Sequence, residues 1–380
     1  MENKTAEQAQ ILANRLQKRF KHLKKWARAT AQRSGVGAFR LYDRDIPEIP
    51  LVLDYYACNV NSDSAFPPDA ALCGALYKRP YEKDEDEEAK WLSAMKESAA
   101  SALNIEPQKI FLKQRKRKEG IKQYEKMSAE SFEKTISEGG LLFKVNLSDY
   151  LDTGFFIDRR LLRTMIRSES AGKRVLNLFS YTGAFSACAA AGGAVSTDSV
   201  DLSNTYLNWA QENFKLNGMT ANIVKYYDEY FGRISHEGIE PSVLKARRTQ
   251  KKENKVEEKN TTKINTLMRA DVLDFLDRAV RAKFCWDIII LDPPAFSNSK
   301  KMTDTLDLNR DLAELTGKCL KLLTTGGKIY LSVNLRKSVP TAAELETELK
   351  NAHVTDITDK LIDEDFKGKK IPKSFLILKN

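Results

Sequence analysis

Val175-Leu176-Asn177-Leu178-Phe179-Ser180-Tyr181-Thr182-Gly183-Ala184-Phe185 is the stretch that decides the architecture. An apolar run, Arg174–Phe179, reads as a buried strand. It enters a turn of small and hydroxylated residues and leaves as a helix predicted over Gly183–Ala191. A strand, a tight turn and a helix together bring backbone N–H groups to the carboxyl end of a sheet, where doubly wound proteins hold their ligands. Neither G-x-G-x-x-G nor G-x-x-x-x-G-K-[ST] occurs, which disfavours pyrophosphate and triphosphate ligands.

Working outward, the same rhythm repeats. Strands are predicted over Ala194–Asp201, Asn222–Lys225, Asp287–Leu291 and Lys328–Val333. Helices are predicted over Ser203–Asn217, Val272–Lys283 and Asn309–Leu323. Alternation of this kind implies a parallel sheet. His353–Ile357 and Ser374–Leu378 read as closing strands. Gly232 to Asn265 breaks the rhythm with Lys, Arg, Glu and Asn, and a flexible charged insertion at 232–265 is expected.

Three acidic positions follow the predicted strands. Asp201 ends the second strand, where a carboxylate can accept both hydroxyls of an adenosine ribose. Asp271 precedes a helix; it either meets an adenine amino group or caps that helix. Asp292-Pro293-Pro294-Ala295-Phe296 follows Ile288-Ile289-Ile290-Leu291. Its prolines fix φ and remove two N–H donors, giving a stiff edge with carbonyls and an aromatic wall suited to a flat ring.

The N-terminal part differs. Ile11, Leu12, Leu16, Phe20, Leu23 and Trp26 recur at helical spacing within a helix predicted over Ala6–Arg33. Lys18, Arg19, Lys21, Lys24, Lys25, Arg28 and Arg33 fill the remainder, either as a solvated basic face or as phosphate contacts. Strands are predicted over Phe39–Tyr42, Pro50–Val60, Ala70–Tyr77, Lys109–Arg115 and Leu141–Leu147, with a weaker one over Phe132–Ile136. A helix with an acidic start spans Asp84–Leu103. This is a small α+β module. The basic tract from Lys113 through Arg115, Arg117 and Lys122 to Tyr124 offers phosphate contacts and a stacking ring. The organisation expected is a basic helix at 1–35, an α+β module at 36–150 and a doubly wound domain at 151–380.

Composition narrows the function. The chain of 380 residues carries 62 Lys+Arg against 52 Asp+Glu, a net +10 that favours a polyanionic partner such as nucleic acid. It has no apolar run of about 18 residues, so no membrane span is expected. Met1–Lys25 has no apolar h-region, so no secretory signal is expected either. Five scattered cysteines without a C-x-x-C pair, and three histidines, argue against zinc and for a reduced, cytoplasmic setting.

The order of these motifs resembles the class I S-adenosylmethionine-dependent methyltransferases. Within them it is similar to the RlmK family of 23S rRNA guanine-N7 methyltransferases, which also forms one half of bifunctional relatives. The matching stretches are Ala13-Asn14-Arg15-Leu16, Tyr150 to Arg160, Asn177 to Gly183, Asp292 to Lys300, and Asp307 with Arg310-Asp311. The resemblance implies an α/β, Rossmann-like domain with an N-terminal α+β RNA-binding module. It implies S-adenosylmethionine as cofactor, held by Phe156, Asp158, Arg160, Asn177, Phe179, Ser180, Tyr181, Thr182, Gly183, Asp201, Leu202, Asp271 and Val272. It places Asp292, Pro293, Pro294 and Phe296 at the reacting base, and Lys300 with the basic tract on RNA. The implied partner is 23S rRNA or a large-subunit assembly intermediate.

Methylation at carbon-5 of a pyrimidine needs a thiolate that adds to the ring. Related cytosine enzymes carry that cysteine after the fifth strand. Here Tyr330-Leu331-Ser332-Val333-Asn334-Leu335-Arg336 has none, and Cys285 precedes the fourth strand. The alternatives carried alongside guanine N7 are guanine N2, cytosine C5, and a catalytically silent RNA-binding ribosome-assembly factor on the same fold.

Overall fold

The computed structural model describes residues 2–31, 35–58, 69–77, 84–114, 131–150, 152–224, 264–297, 306–335 and 339–379. The chain forms two compact units, Met1–Arg160 with Ile362–Lys370, and Leu161–Leu361 with Ile371–Asn380.

The first unit begins with helix α1 (Glu2–Ala31). The helix starts before the predicted Ala6 because Glu2–Thr5 carries no apolar residue to signal it. Strands β1 (Ala38–Asp43), β2 (Leu51–Tyr56), β3 (Ala71–Leu76) and β4 (Ile110–Gln114) form one sheet in that order. The first three are antiparallel; β4 runs parallel to β3 after helix α2 (Glu85–Leu103). Asp84 caps α2 by accepting from the Asp86 N–H at 2.9 Å. Leu12, Leu16, Phe20 and Leu23 pack with Phe39, Leu53, Tyr55, Trp91 and Met95 in one core. The N-terminal helix is thus part of this unit rather than a separate piece. A hairpin, β5 (Glu133–Glu138) and β6 (Leu141–Asn146), completes it.

The boundary between the units falls at Arg160, ten residues later than the sequence suggested. Arg160 is buried, and its guanidinium meets Asp363 at 2.7 Å, Asp365 at 3.0 Å and Glu138 at 3.5 Å. It also donates to the Ala38 carbonyl at 2.6 Å. This arginine fixes the returning segment Ile362–Lys370 within the first unit.

The second unit is built on helix α3 (Arg160–Glu169), β7 (Arg174–Leu178), α4 (Ala184–Ala191), β8 (Ser196–Asp201), α5 (Asn204–Leu216), β9 (Asn222–Val224) and β10 (Ile264–Arg269). There follow α6 (Val272–Arg281), β11 (Trp286–Leu291), the short ribbon β12 (Phe296–Ser297) and β13 (Leu306–Asp307), and α7 (Leu308–Lys321). The chain closes with β14 (Leu323–Val333), α8 (Ala342–Leu349), β15 (Ala352–Asp356) and β16 (Lys373–Lys379). The main sheet has the order β15-β16-β14-β11-β7-β8-β10-β9. It is parallel except for β16, which runs antiparallel to both neighbours.

Alternation along each strand sends side chains to two apolar layers. Leu176, Leu178, Ile289, Leu291, Ile329 and Leu331 pack with α6, α7 and α8. Val175, Ile288, Ile290 and Tyr330 pack with α3 and α4. Both faces are therefore covered, as a parallel sheet requires.

Strand β10 had not been predicted, and Ile264 and Asn265 belong to it rather than to the charged insertion. Its polarity concealed it. Asn265 is buried, accepts from Thr197 Oγ1 at 2.9 Å and donates to the Thr220 carbonyl at 2.9 Å. Helices α3 and α8 and the β12–β13 ribbon were likewise not predicted; α8 opens on a capping box between Thr341 and Glu344.

Candidate active site

Strand β7 lies between β8 and β11, so the strand order reverses there. A crevice forms outside the carboxyl ends of the strands at such a reversal. The adjacent parallel strands β10, β8, β7 and β11 end, respectively, just before Asp271, at Asp201, at the Phe179–Gly183 turn and just before Asp292. All four sequence signals therefore reach one edge.

The turn after β7 is strained. Phe179, Tyr181 and Gly183 have φ of 56°, 49° and 69°. Left-handed φ at a non-glycine residue costs of order 1–3 kcal/mol and persists only where the surroundings impose it. Here the Ser180 N–H donates to the Val200 carbonyl at 3.0 Å and the Gly183 N–H to the Ser180 carbonyl at 2.9 Å. The Tyr181 N–H donates to Asp201 Oδ2 at 2.9 Å, and Asn213 Nδ2 donates to the Thr182 carbonyl at 2.9 Å. A Cβ on Gly183 would lie 2.7 Å from Ala210 Cβ, so glycine also permits the close approach of α4 and α5.

Asp201 accepts the Tyr181 N–H through one oxygen and the Ser203 N–H, at 2.9 Å, through the other. Burial pushes its carboxyl up to about 6, against the opposing pull of the backbone N–H groups of Ser203, Tyr181 and Leu202. Leu202 is half-buried beside it. Asp271 caps α6, its Oδ1 accepting from Leu273 N–H at 2.8 Å and Asp274 N–H at 3.3 Å. Val272 is buried in the core below. The turn can accommodate a polar ligand: Ser180 Oγ is buried and has no hydrogen-bond partner among the described residues.

Asn177, expected at the cofactor, is buried, and its Nδ2 donates to Ser186 Oγ at 2.9 Å. Ser199 Oγ donates to the same Ser186 oxygen at 2.7 Å. Asn177 thereby anchors α4 under the turn. In the first unit, Phe156 is 44% exposed and Asp158 pairs with Arg159 at 3.2 Å. Arg160, expected at the cofactor, is occupied by Glu138, Asp363, Asp365 and the Ala38 carbonyl, and we read it as a structural anchor. Lys113, expected on RNA, is buried, and its ammonium donates to the Tyr150 carbonyl. Arg115, Arg117, Lys122, Tyr124 and Lys300 lie outside the described residues.

Beyond β11, Asp292 and Pro294 are half-buried, Pro293 is buried and Phe296 is 55% exposed. Phe296 pairs across the ribbon with Asp307. Asp307 caps α7 by accepting the Asn309 N–H at 3.0 Å, and its own N–H donates to Asp311 at 2.9 Å. Asp311 also grips Arg310 at 2.5 and 2.8 Å. The sequence showed these residues as a motif but assigned them no task; the pairing of β12 with β13 supplies one, since it ties Phe296 to the start of α7.

The strand order, the antiparallel β16 and the four carboxyl-end motifs define a class I S-adenosylmethionine-dependent methyltransferase. A family model described as S-adenosylmethionine-dependent methyltransferase matches residues 68–237. Ribosomal RNA large subunit methyltransferase K of Neisseria meningitidis is 38% identical over 365 residues, covering 96% of this chain and 86% of that protein. The chain belongs to the family of S-adenosylmethionine-dependent ribosomal RNA large subunit methyltransferases K and K/L. The K/L protein of Hahella chejuensis is 38% identical over 332 residues, 87% of this chain and 38% of that protein. The chain thus spans about two fifths of the length of such longer relatives. SMU.776, a methyltransferase crystallised with SAH, shares the fold with a TM-score of 0.60 and 22% identity, over 96% of this chain and 81% of that one. Among the described residues no helix is long and apolar enough to cross a membrane.

Proposed function

We propose that the chain methylates N7 of a guanine in 23S rRNA, presented as RNA or as a large-subunit assembly intermediate. The observation that carries this reading is the place of Asp292-Pro293-Pro294 on the same sheet edge as the Ser180–Gly183 turn and Asp201, with no cysteine at that edge among the described residues. Cys285 lies before β11, at the opposite end of the strand, and Cys73, Cys188 and Cys319 are buried. Burial pushes the Cys73 thiol up to about 11 and the Cys319 thiol higher still. That distribution supports direct transfer over covalent addition to a pyrimidine.

S-adenosylmethionine, when bound, would supply an electrophilic methyl group to the in-plane N7 lone pair, the electrons of the broken S–CH3 bond staying on sulfur. No proton is lost from N7, so no general base is needed. Ser180, Tyr181, Thr182, Gly183, Asp201 and Leu202 would hold the nucleoside, with Phe179, Asp271 and Val272 shaping its adenine side. Asp292 and the Pro293–Pro294 carbonyls stabilise the charge developing on the purine. Phe296 stacks on the extruded base, since N7 is hidden in the deep groove of A-form RNA until the base leaves its helix. Arg115, Arg117, Lys122 and Lys300 meet RNA phosphates, and Tyr124 offers a stacking ring.

Methyl transfer by the purified chain to 23S rRNA fragments, followed by nucleoside mass spectrometry, tests the reading. 7-Methylguanosine is the expected product. N2-methylguanosine or 5-methylcytidine would overturn the atom assigned, and absence of any RNA product would overturn the substrate.

A further inference from the structure

From Asn14 to Ala31, α1 holds seven lysines and arginines and no acidic residue. Several of these charges are tied down. Arg15 pairs with Asp45 at 2.7 Å, and Lys24 lies over the Phe20 ring at 5.9 Å. Lys18, Lys21 and Lys25 are exposed and make no ion pair among the described residues. At 3.6 residues per turn they fall within an arc of about 60°, opposite the buried Leu12, Leu16, Phe20, Leu23 and Ala27. Like charges at i,i+3 and i,i+4 repel, so the stripe weakens the helix unless a polyanion meets it.

We propose that Lys18, Lys21 and Lys25 form a docking surface for the phosphate backbone of duplex RNA, read without regard to sequence. The inference rests on the proposed RNA substrate and adds a second place at which that RNA is held. The stripe extends about 10 Å along the helix, a length over which a duplex presents about six phosphate charges. It carries no aromatic side chain, and single-stranded RNA is gripped by stacking. A-form duplexes are instead recognised by shape and phosphate contacts. A membrane surface fits poorly, because interfacial helices insert their apolar face into lipid, and the apolar face of α1 is already buried in its own unit.

The test compares the full chain with Lys18→Gln/Lys21→Gln/Lys25→Gln. Its control removes the same charge from exposed lysines of the second unit, Lys215→Gln/Lys283→Gln/Lys321→Gln. Affinity for a 20-base-pair RNA duplex of arbitrary sequence is measured between about 50 and 200 mM salt. Each lost phosphate contact lowers the slope of log affinity against log salt by roughly 0.9, taking the value for duplex DNA. The stripe variant is expected to lose about 2–3 from that slope while SAH affinity stays unchanged, and the control is expected to keep the slope. An unchanged slope in the stripe variant, or an equal fall in the control, overturns the proposal. So does a stripe-dependent affinity for anionic phosphatidylserine vesicles that exceeds that for RNA. Wild-type protein that binds the duplex through the stripe but leaves 23S rRNA unmethylated would refute the substrate reading instead.

Discussion

The Tyr181 backbone N–H donates to Asp201 Oδ2 at 2.9 Å, so the carboxylate assigned to the ribose also holds the strained turn that borders it. In the proposed reading, one side chain at the end of β8 would link cofactor recognition to the conformation of the loop after β7.

With Asp201 at the ribose, cofactor affinity is expected to depend on pH. Its carboxyl sits at about 6, above the ordinary 3.8, because burial disfavours the charge. A raised value means that its contribution to apo stability is complete below about pH 4 and is lost as pH rises through 6. Ribose hydroxyls donate to the ionised form, so SAH affinity is expected to weaken several-fold between pH 7 and pH 5. Titration calorimetry near pH 6 in two buffers of different ionisation enthalpy should register proton release on binding. A pH-independent affinity that persists in Asp201→Asn would reject the assignment.

Asp292 should act on the chemical step. Asp292→Asn is expected to lower kcat by roughly 10²-fold, the scale for removal of a preorganised electrostatic group. Equilibrium affinities for SAH and RNA are expected to hold. Full-rate methylation by a variant that still binds both would remove its role.

Gly183 faces two constraints, a φ of 69° and the 2.7 Å approach to Ala210. Gly183→Ala is expected to destabilise the protein by about 1–3 kcal/mol in urea unfolding, the range for overpacking and incompatible φ. Adding Ala210→Gly relieves the contact and leaves the backbone strain. Partial recovery in this double-mutant cycle is the expected result, and no recovery would assign the whole cost to φ.

Asp365 is fully buried against Arg160. Asp365→Ala leaves a buried guanidinium with fewer partners and is expected to cost about 3 kcal/mol, as for other broken buried pairs. SAH affinity of the folded variant is expected to change less than twofold. A large loss of affinity would overturn the anchoring role read for Arg160.

The strong elements were legible in the sequence because their signal is local. Ile288-Ile289-Ile290-Leu291 is a buried strand by composition, and Asp-Pro-Pro marks its end. Strand β10 was not legible, because Asn265 is a polar residue whose side chain bonds Thr220 and Thr197, 45 and 68 positions away. Lys113 looked like a surface charge beside other surface charges. Only the fold shows its ammonium turned inward to the Tyr150 carbonyl.

By itself the sequence determined the alternation of strands and helices, the three acidic positions that follow strands, and the excess of positive charge. Each depends on neighbours a few residues apart, through apolar period, proline geometry and net charge. The tertiary structure decided which strands lie side by side, that β7 sits at the reversal of strand order, that burial lifts Asp201 to about 6, and that the Arg160 and Asn177 side chains meet Asp365 and Ser186. Those outcomes depend on desolvation and on hydrogen bonds between residues distant in the chain, which no local pattern encodes.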